Sequence, residues 1–138
     1  MKKGSNIYGI IFGASHPRAV DKFLTVAWKR NETNGEANFD IDEDAKKNQP
    51  NLFLGKTLTK IEVFKENVRK KVLAKEIVNN FQLFNYALEE GHLGKHASEV
   101  LREMKKNGEI SFEGTSPLVT YEQVCKVKRE VKYSILKK

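Results

Sequence analysis

The chain has 138 residues, a length typical of one domain that buries a modest core and too short for two ordinary independent domains. Hydrophobic residues make up 39% of the sequence, and no apolar stretch approaches the roughly 20 residues that a bilayer requires. The composition therefore argues against a membrane span or a secretory leader, and we expect a soluble chain with no membrane partner.

Charge and cysteine content restrict the partner and the compartment. The formal net charge of +7 and the isoelectric point of about 9.4 favour an anionic partner, because clustered Lys and Arg displace counterions from phosphates. Cys125 is the single cysteine, which excludes a disulfide within the chain and a cysteine-based zinc cluster. We expect a reducing compartment, the cytoplasm.

The first 30 residues predict a strand followed by a helix. The apolar run Ile7–Phe12 has the length and composition of a buried strand, and Ser15 with Pro17 is typical of a helix start. The apolar positions that then recur at helical spacing are Val20, Phe23, Leu24, Ala27 and Trp28. Residues 1–30 are therefore interpreted as an N-terminal strand-helix extension.

Residues 31–56 are interpreted as a linker. Their first half is rich in Asn, Gly and acids, with Glu32, Glu36, Asp40, Asp42, Glu43 and Asp44. No Lys or Arg relieves this charge between residues 31 and 45. The composition indicates a flexible acidic connector to a domain over residues 57–138.

Three helices are predicted in residues 57–138. Leu58, Ile61, Phe64 and Val68 mark the first helix, and Val72 with Leu73 suggest a short strand. The second helix carries Ile77, Phe81, Phe84 and Leu88 toward a core and stops at Gly91. The third runs from Lys95 to Asn107, with Ala97, Val100, Leu101 and Met104 inward.

The remaining residues predict a hairpin. Residues 109–113 alternate as a strand, residues 114–117 form a turn, and residues 131–136 return as a second strand. Residues 121–128 fit either a helical turn or an extended wing. The order helix, short strand, helix, turn, helix, strand, loop, strand is that of a winged helix-turn-helix, so the predicted fold class is α+β.

No catalytic or metal-binding set emerges from the sequence. His92 and His96 have the spacing that lets two imidazoles share zinc, but Gly94 lies between them and no third ligand accompanies them. They are interpreted as surface histidines. Cys125 has no evident base partner, and no phosphate-binding glycine motif is complete. We therefore expect no cofactor and no enzyme activity.

The outer face of the third helix is the predicted binding surface. Recognition helices touch base edges with their first turns, where Lys95, His96 and Ser98 lie, while more distant cations meet phosphates. The predicted nucleic-acid-binding residues are Lys95, His96, Ser98, Glu99, Arg102, Lys105, Lys106, Lys126, Lys128 and Arg129. The alternative is an ordinary solvated helix face.

Several short motifs resemble the three-Cys-motif partner proteins. They are residues 8–17 (YGIIFGASHP), 27–29 (AWK), 91–93 (GHL), 107–110 (NGEI) and 121–126 (YEQVCK). The resemblance implies a winged-helix portion that follows a methyltransferase-like domain and works with a three-cysteine iron-sulfur protein of radical chemistry. This sequence lacks the methyltransferase-like part, so the resemblance implies no methyl transfer here.

Two functions follow from these predictions. The first is a winged-helix module that binds nucleic acid, with duplex DNA favoured over RNA. The second is an interaction module for a protein partner, such as the three-cysteine iron-sulfur protein, or for a homodimer, through apolar surface near Trp28 and Phe53.

Overall fold

A computed structural model describes residues 2, 3, 6, 7, 13–30, 32 and 58–136. Strands β1 (Lys2–Lys3) and β2 (Asn6–Ile7) pair antiparallel at the N-terminus. Most of the predicted strand over residues 7–12, nearly all of the predicted acidic linker, and Phe53 lie outside the described residues. No helix in the described part of the chain is both long enough and apolar enough to span a bilayer.

Helix α1 (Pro17–Arg30) confirms the predicted N-terminal helix but not its predicted cap. Because the helix begins at Pro17, the N-cap position belongs to His16, whose Nδ1 accepts a hydrogen bond from the Arg18 backbone N–H at 3.2 Å. Ser15 therefore lies one residue too early to cap. Of the predicted apolar stripe, Leu24, Ala27 and Trp28 are buried, and Val20 and Phe23 are half-buried.

Helix α2 (Lys60–Leu73) begins with a capping box. The Thr59 hydroxyl accepts from the Glu62 backbone N–H at 3.2 Å, and the Glu62 carboxylate accepts from the Thr59 N–H at 2.8 Å. The predicted strand at Val72 and Leu73 is wrong, because these residues form the last turn of α2. In this position Val72 is buried in the core, so tertiary packing overrides the β-preference of the valine.

Helix α3 (Asn80–Glu89) begins three residues later than the first predicted apolar position. The Asn79 side chain caps it by accepting from the Gln82 N–H at 2.9 Å. Ile77 is buried just before the helix, where Asn79 makes an antiparallel bridge to Lys132. The chain leaves α3 through Gly91, whose φ of 72° is left-handed.

Helix α4 (Gly94–Lys106) confirms the third predicted helix, and the predicted hairpin follows it. Strands β3 (Ile110–Ser111) and β4 (Ser134–Ile135) pair antiparallel, with Ile110 opposite Ile135. Between them, residues 122–126 form a π-helical turn, which decides between the two interpretations of this segment in favour of the helical one.

The main core lies where α2, α3 and α4 meet the hairpin. Each helix contributes fully or almost fully buried side chains, among them Val68 of α2, Phe84 of α3 and Leu101 of α4. Ile110 and Val119 close this core from the hairpin side. The result is a three-helix α+β winged-helix arrangement in which α4 has the position of the recognition helix.

Candidate nucleic-acid interface

The outer face of α4 carries a column of exposed cations. Lys95, Arg102 and Lys106 are exposed, whereas Val100 and Leu101 point into the core. Spacings of seven and eleven residues correspond to about two and three helical turns, so the three cations project in nearly the same direction along about 16 Å of helix. We call Lys95, Arg102 and Lys106 the α4 cation column.

Two carboxylates lie beside the α4 cation column, on the side of α2. The Glu99 carboxylate contacts the Lys65 ammonium of α2 at 3.0 Å, with both side chains partly exposed. Glu103 is exposed one turn further along and, with Lys65, borders a groove between α2 and α4. Glu99, which was predicted to bind nucleic acid, is thus an ion-pair partner of Lys65.

The structure contradicts the predicted exposure of His96 and Ser98. Only 5% of His96 and 7% of Ser98 is accessible, because α4 is covered by other elements on these sides. The Trp28 ring of α1 packs edge-on to the His96 imidazole with ring centroids 4.6 Å apart. His92 is also buried, at 2% exposure, so the interpretation of both residues as surface histidines is wrong.

Two imidazoles and two aromatic rings form the contact between α1 and the three-helix core. The Nδ1 atoms of His92 and His96 lie 3.3 Å apart, and Phe64 stacks on His92 with centroids 4.0 Å apart. The Trp28 indole N–H donates to the Gly91 carbonyl at 2.9 Å. We call Trp28, Phe64, His92 and His96 the aromatic-imidazole cluster.

The aromatic-imidazole cluster favours neutral histidines. Burial, then the neighbouring His96 and Lys60, lower the pKa of His92 to about 4. Burial is also the main reason that the pKa of His96 is lowered. With both rings neutral, one imidazole can donate its Nδ1–H to the Nδ1 of the other, and burial favours this uncharged state for both. The part of the chain that the structure describes contains no group of three His, Cys, Asp or Glu side chains able to hold a metal ion.

The N-terminal tip of α4 is tightly packed. Gly94 is buried, and a Cβ atom added to it would lie 2.1 Å from the Val119 carbonyl oxygen. The residue before it, Leu93, is 8% exposed and forms a small apolar cluster with Leu24 and Trp28 of α1. The tip therefore lies beneath the segment that contains Val119 and beside α1.

Lys105 points away from the α4 cation column and toward the start of the hairpin. Its ammonium donates to the carbonyls of Phe112 at 2.9 Å and Gly114 at 2.6 Å, and it lies 4.2 Å from the centroid of the Phe112 ring. These contacts satisfy a cation with protein partners, so Lys105 anchors the hairpin to α4.

The other predicted cations lie at the end of the π-helical turn. Lys126, Lys128 and Arg129 are all exposed, and Lys128 adopts a left-handed φ of 55°. Buried Asn80, the first residue of α3, holds this segment in place. Its side-chain amide donates to the Leu118 carbonyl at 3.1 Å and the Arg129 carbonyl at 2.8 Å, and its oxygen accepts from the Val131 N–H at 2.8 Å.

Sequence reasoning missed the aromatic-imidazole cluster and Asn80. A helical wheel of α4 places His96 and Ser98 at the edges of its apolar stripe, and the burial of His96 depends on a helix more than 60 residues earlier in the chain. For Asn80, the sequence offers a weak signal, since an asparagine next to the Asn79 cap has no capping role of its own.

The three helices, the antiparallel hairpin behind them and the exposed outer face of α4 define a winged helix-turn-helix domain. Comparison with protein families matches residues 30–117 to the GMT-like wHTH domain. The chain belongs to this family, whose winged-helix class is generally non-catalytic and commonly binds nucleic acid. The match covers α2, α3, α4 and β3, and it leaves the resemblance to three-Cys-motif partner proteins a prediction.

No curated protein matches the chain, and no solved structure matches it.

Proposed function

We propose that this protein is a non-catalytic module that binds nucleic acid, with duplex DNA as the favoured ligand, through the α4 cation column. The observation that carries the proposal is the alignment of Lys95, Arg102 and Lys106 on the exposed face of the recognition helix. Ammonium and guanidinium groups in one column, free of the core, can each neutralise a phosphate and release its counterion.

The second contact of the proposed interface is the basic turn at Lys126, Lys128 and Arg129. These residues lie between the two strands of the hairpin, which in winged-helix proteins flanks the recognition helix against the phosphate backbone. Asn80 supports this proposal because it ties the backbone of this segment to the start of α3. The buried His96 and Ser98 have no part in the revised interface.

Fluorescence anisotropy of a labelled mixed-sequence duplex tests the proposal. The triple variant K95Q/R102Q/K106Q removes the column, and the slope of log affinity against log salt should become shallower by about 2.7, or about 0.9 for each lost phosphate contact. The measurement is made across the range from about 50 mM to about 200 mM salt, where such contacts have their largest effect.

A matched triple variant separates the column from net charge. K29Q/K70Q/K75Q removes the same number of positive charges from exposed positions on α1, α2 and the turn after α2. We expect this control to bind with nearly the wild-type salt dependence. Equal losses in the two variants, or no binding by the wild type at low salt, would contradict the proposal.

A protein partner is the second candidate, favoured by exposed valines. Val26 of α1, Val63 of α2 and Val127 after the π-helical turn are 61%, 43% and 58% exposed. Trp28, part of the surface predicted for this role, is 3% exposed and belongs to the core of the α1 contact instead.

The three-cysteine iron-sulfur protein and a second copy of the chain are the two partners to test. Light scattering, alone and with that protein, should then give a mass above the monomer, and an unchanged monomer mass would reject this candidate.

A further inference from the structure

We propose that the module binds duplex DNA without sequence preference, by contacting phosphates along the side of α4 and leaving base edges unread. This inference deepens the proposed function and rests on it. Its basis is the contrast between the two parts of α4, a covered N-terminal tip and an exposed side that carries only charged residues.

Base reading by a recognition helix starts from its N-terminal turns, which must enter the major groove. Here the start of the first turn is covered, because even one added carbon at Gly94 would collide with the Val119 backbone, and the exposed side chains of the first two turns are only Lys95 and Glu99. Leu93 is buried against α1, which lies beside the tip. Leu93 and Gly94 are therefore not available for contact with base edges.

Two polar side chains that were predicted to contact base edges are withdrawn from this surface. His96 points into the aromatic-imidazole cluster, and Ser98 is buried. The residues of α4 that remain exposed are all charged: Lys95, Glu99, Arg102, Glu103 and Lys106. No Asn or Gln, the side chains that pair with adenine, lies within α4.

The exposed cations of α4 can bind phosphates, which are the same in every DNA sequence. Lysine acts as a point charge with rotatable donors and needs no fixed geometry toward its partner. Both lysine and arginine can also contact guanine, but Arg102 has the more rigid geometry, since its planar guanidinium pairs with guanine through two fixed hydrogen bonds. The identity of the partner of Arg102 therefore distinguishes phosphate contact from base reading.

Selection from a randomised duplex pool, followed by anisotropy with Arg102 variants, tests the inference. We expect selected and unselected duplexes to bind within about threefold of each other, far below the roughly thousandfold or greater preference of specific readers. R102K, which keeps the charge, should bind within about threefold of wild type, whereas R102Q should lower the salt slope by about 0.9.

This experiment distinguishes a failure of the present inference from a failure of the proposed function. A selected sequence that binds about a thousandfold more tightly than the pool would overturn the inference while leaving nucleic-acid binding intact. So would a loss of about tenfold or more on a guanine-containing sequence in R102K. Absence of binding to any duplex at low salt would overturn the proposed function, and this inference with it.

Discussion

Replacing Gly94 with alanine tests how tightly the tip of α4 is packed. The new Cβ would lie 2.1 Å from the Val119 carbonyl oxygen, so the two atoms must separate by about 1.3 Å to reach the 3.4 Å at which ordinary contact begins. Gly94 begins a helix, and a change to alanine alone would favour that helix by at most about 1 kcal/mol. Packing and helix preference therefore predict opposite signs.

The cost of the collision should exceed the gain from the helix preference of alanine. Overpacking of this kind costs about 1–3 kcal/mol, and a shift of Val119 also strains the neighbouring hydrogen bond from Asn80 to the Leu118 carbonyl, worth about 1 kcal/mol. After the helix preference is subtracted, we expect G94A to lower the free energy of unfolding by about 1–3 kcal/mol.

Equilibrium urea unfolding measures this change, with fluorescence of Trp28, the single tryptophan, as the signal. Trp28 reports directly because it packs on His92 and His96 next to the altered helix end. Gly13→Ala is the control, since a Cβ there meets nothing within 4 Å. If G94A were as stable as the wild type, or more stable, the packing of Val119 over the helix tip would be refuted.

Three further substitutions test individual contacts that stabilise the fold, and the same urea assay measures their effect. Thr59→Ala removes one half of the capping box and should cost about 1 kcal/mol. Asn80→Leu leaves two carbonyls and one N–H without their partner and should cost about 2–4 kcal/mol, while the same change at exposed Asn85 should cost little. The lowered pKa of His92 means that the unfolded chain binds more protons than the folded chain between pH 6.5 and about 4. The stability contributed by neutral His92 should therefore be full above pH 6.5 and fall by up to about 3.4 kcal/mol as the pH drops to about 4. His92→Phe should flatten this dependence, and an unchanged pH profile in that variant would contradict the assignment.

The sequence predicted the elements whose signals are local. The apolar repeats of α3 and α4 and the turn glycines reflect contacts within one element and its neighbour. These signals were sufficient for the helix order, the hairpin and the winged-helix class. They failed at Val72 and Leu73, where the β-preferring Val72 continues a helix because it packs into the core.

The candidate site was predicted only in part. Which side chains of α4 are exposed depends on contacts with residues outside this helix. Lys95, Arg102 and Lys106 are exposed, as their helical spacing indicated. His96 is covered by Trp28, and Lys105 is turned toward the hairpin by carbonyls that lie seven and nine residues further along the chain. Local periodicity contains no information about these contacts, so the predicted site was broader than the exposed column.

Titration of the isotope-labelled protein with a mixed-sequence duplex, followed by amide chemical shifts, tests the central claim most directly. Binding through the α4 cation column should shift the amide signals of Lys95, Arg102 and Lys106 in fast, saturable steps, with those of Lys70 and Lys75 unmoved. Shifts confined to α1 and α2, or no shifts at low salt, would contradict the role of α4 as the nucleic-acid-binding surface.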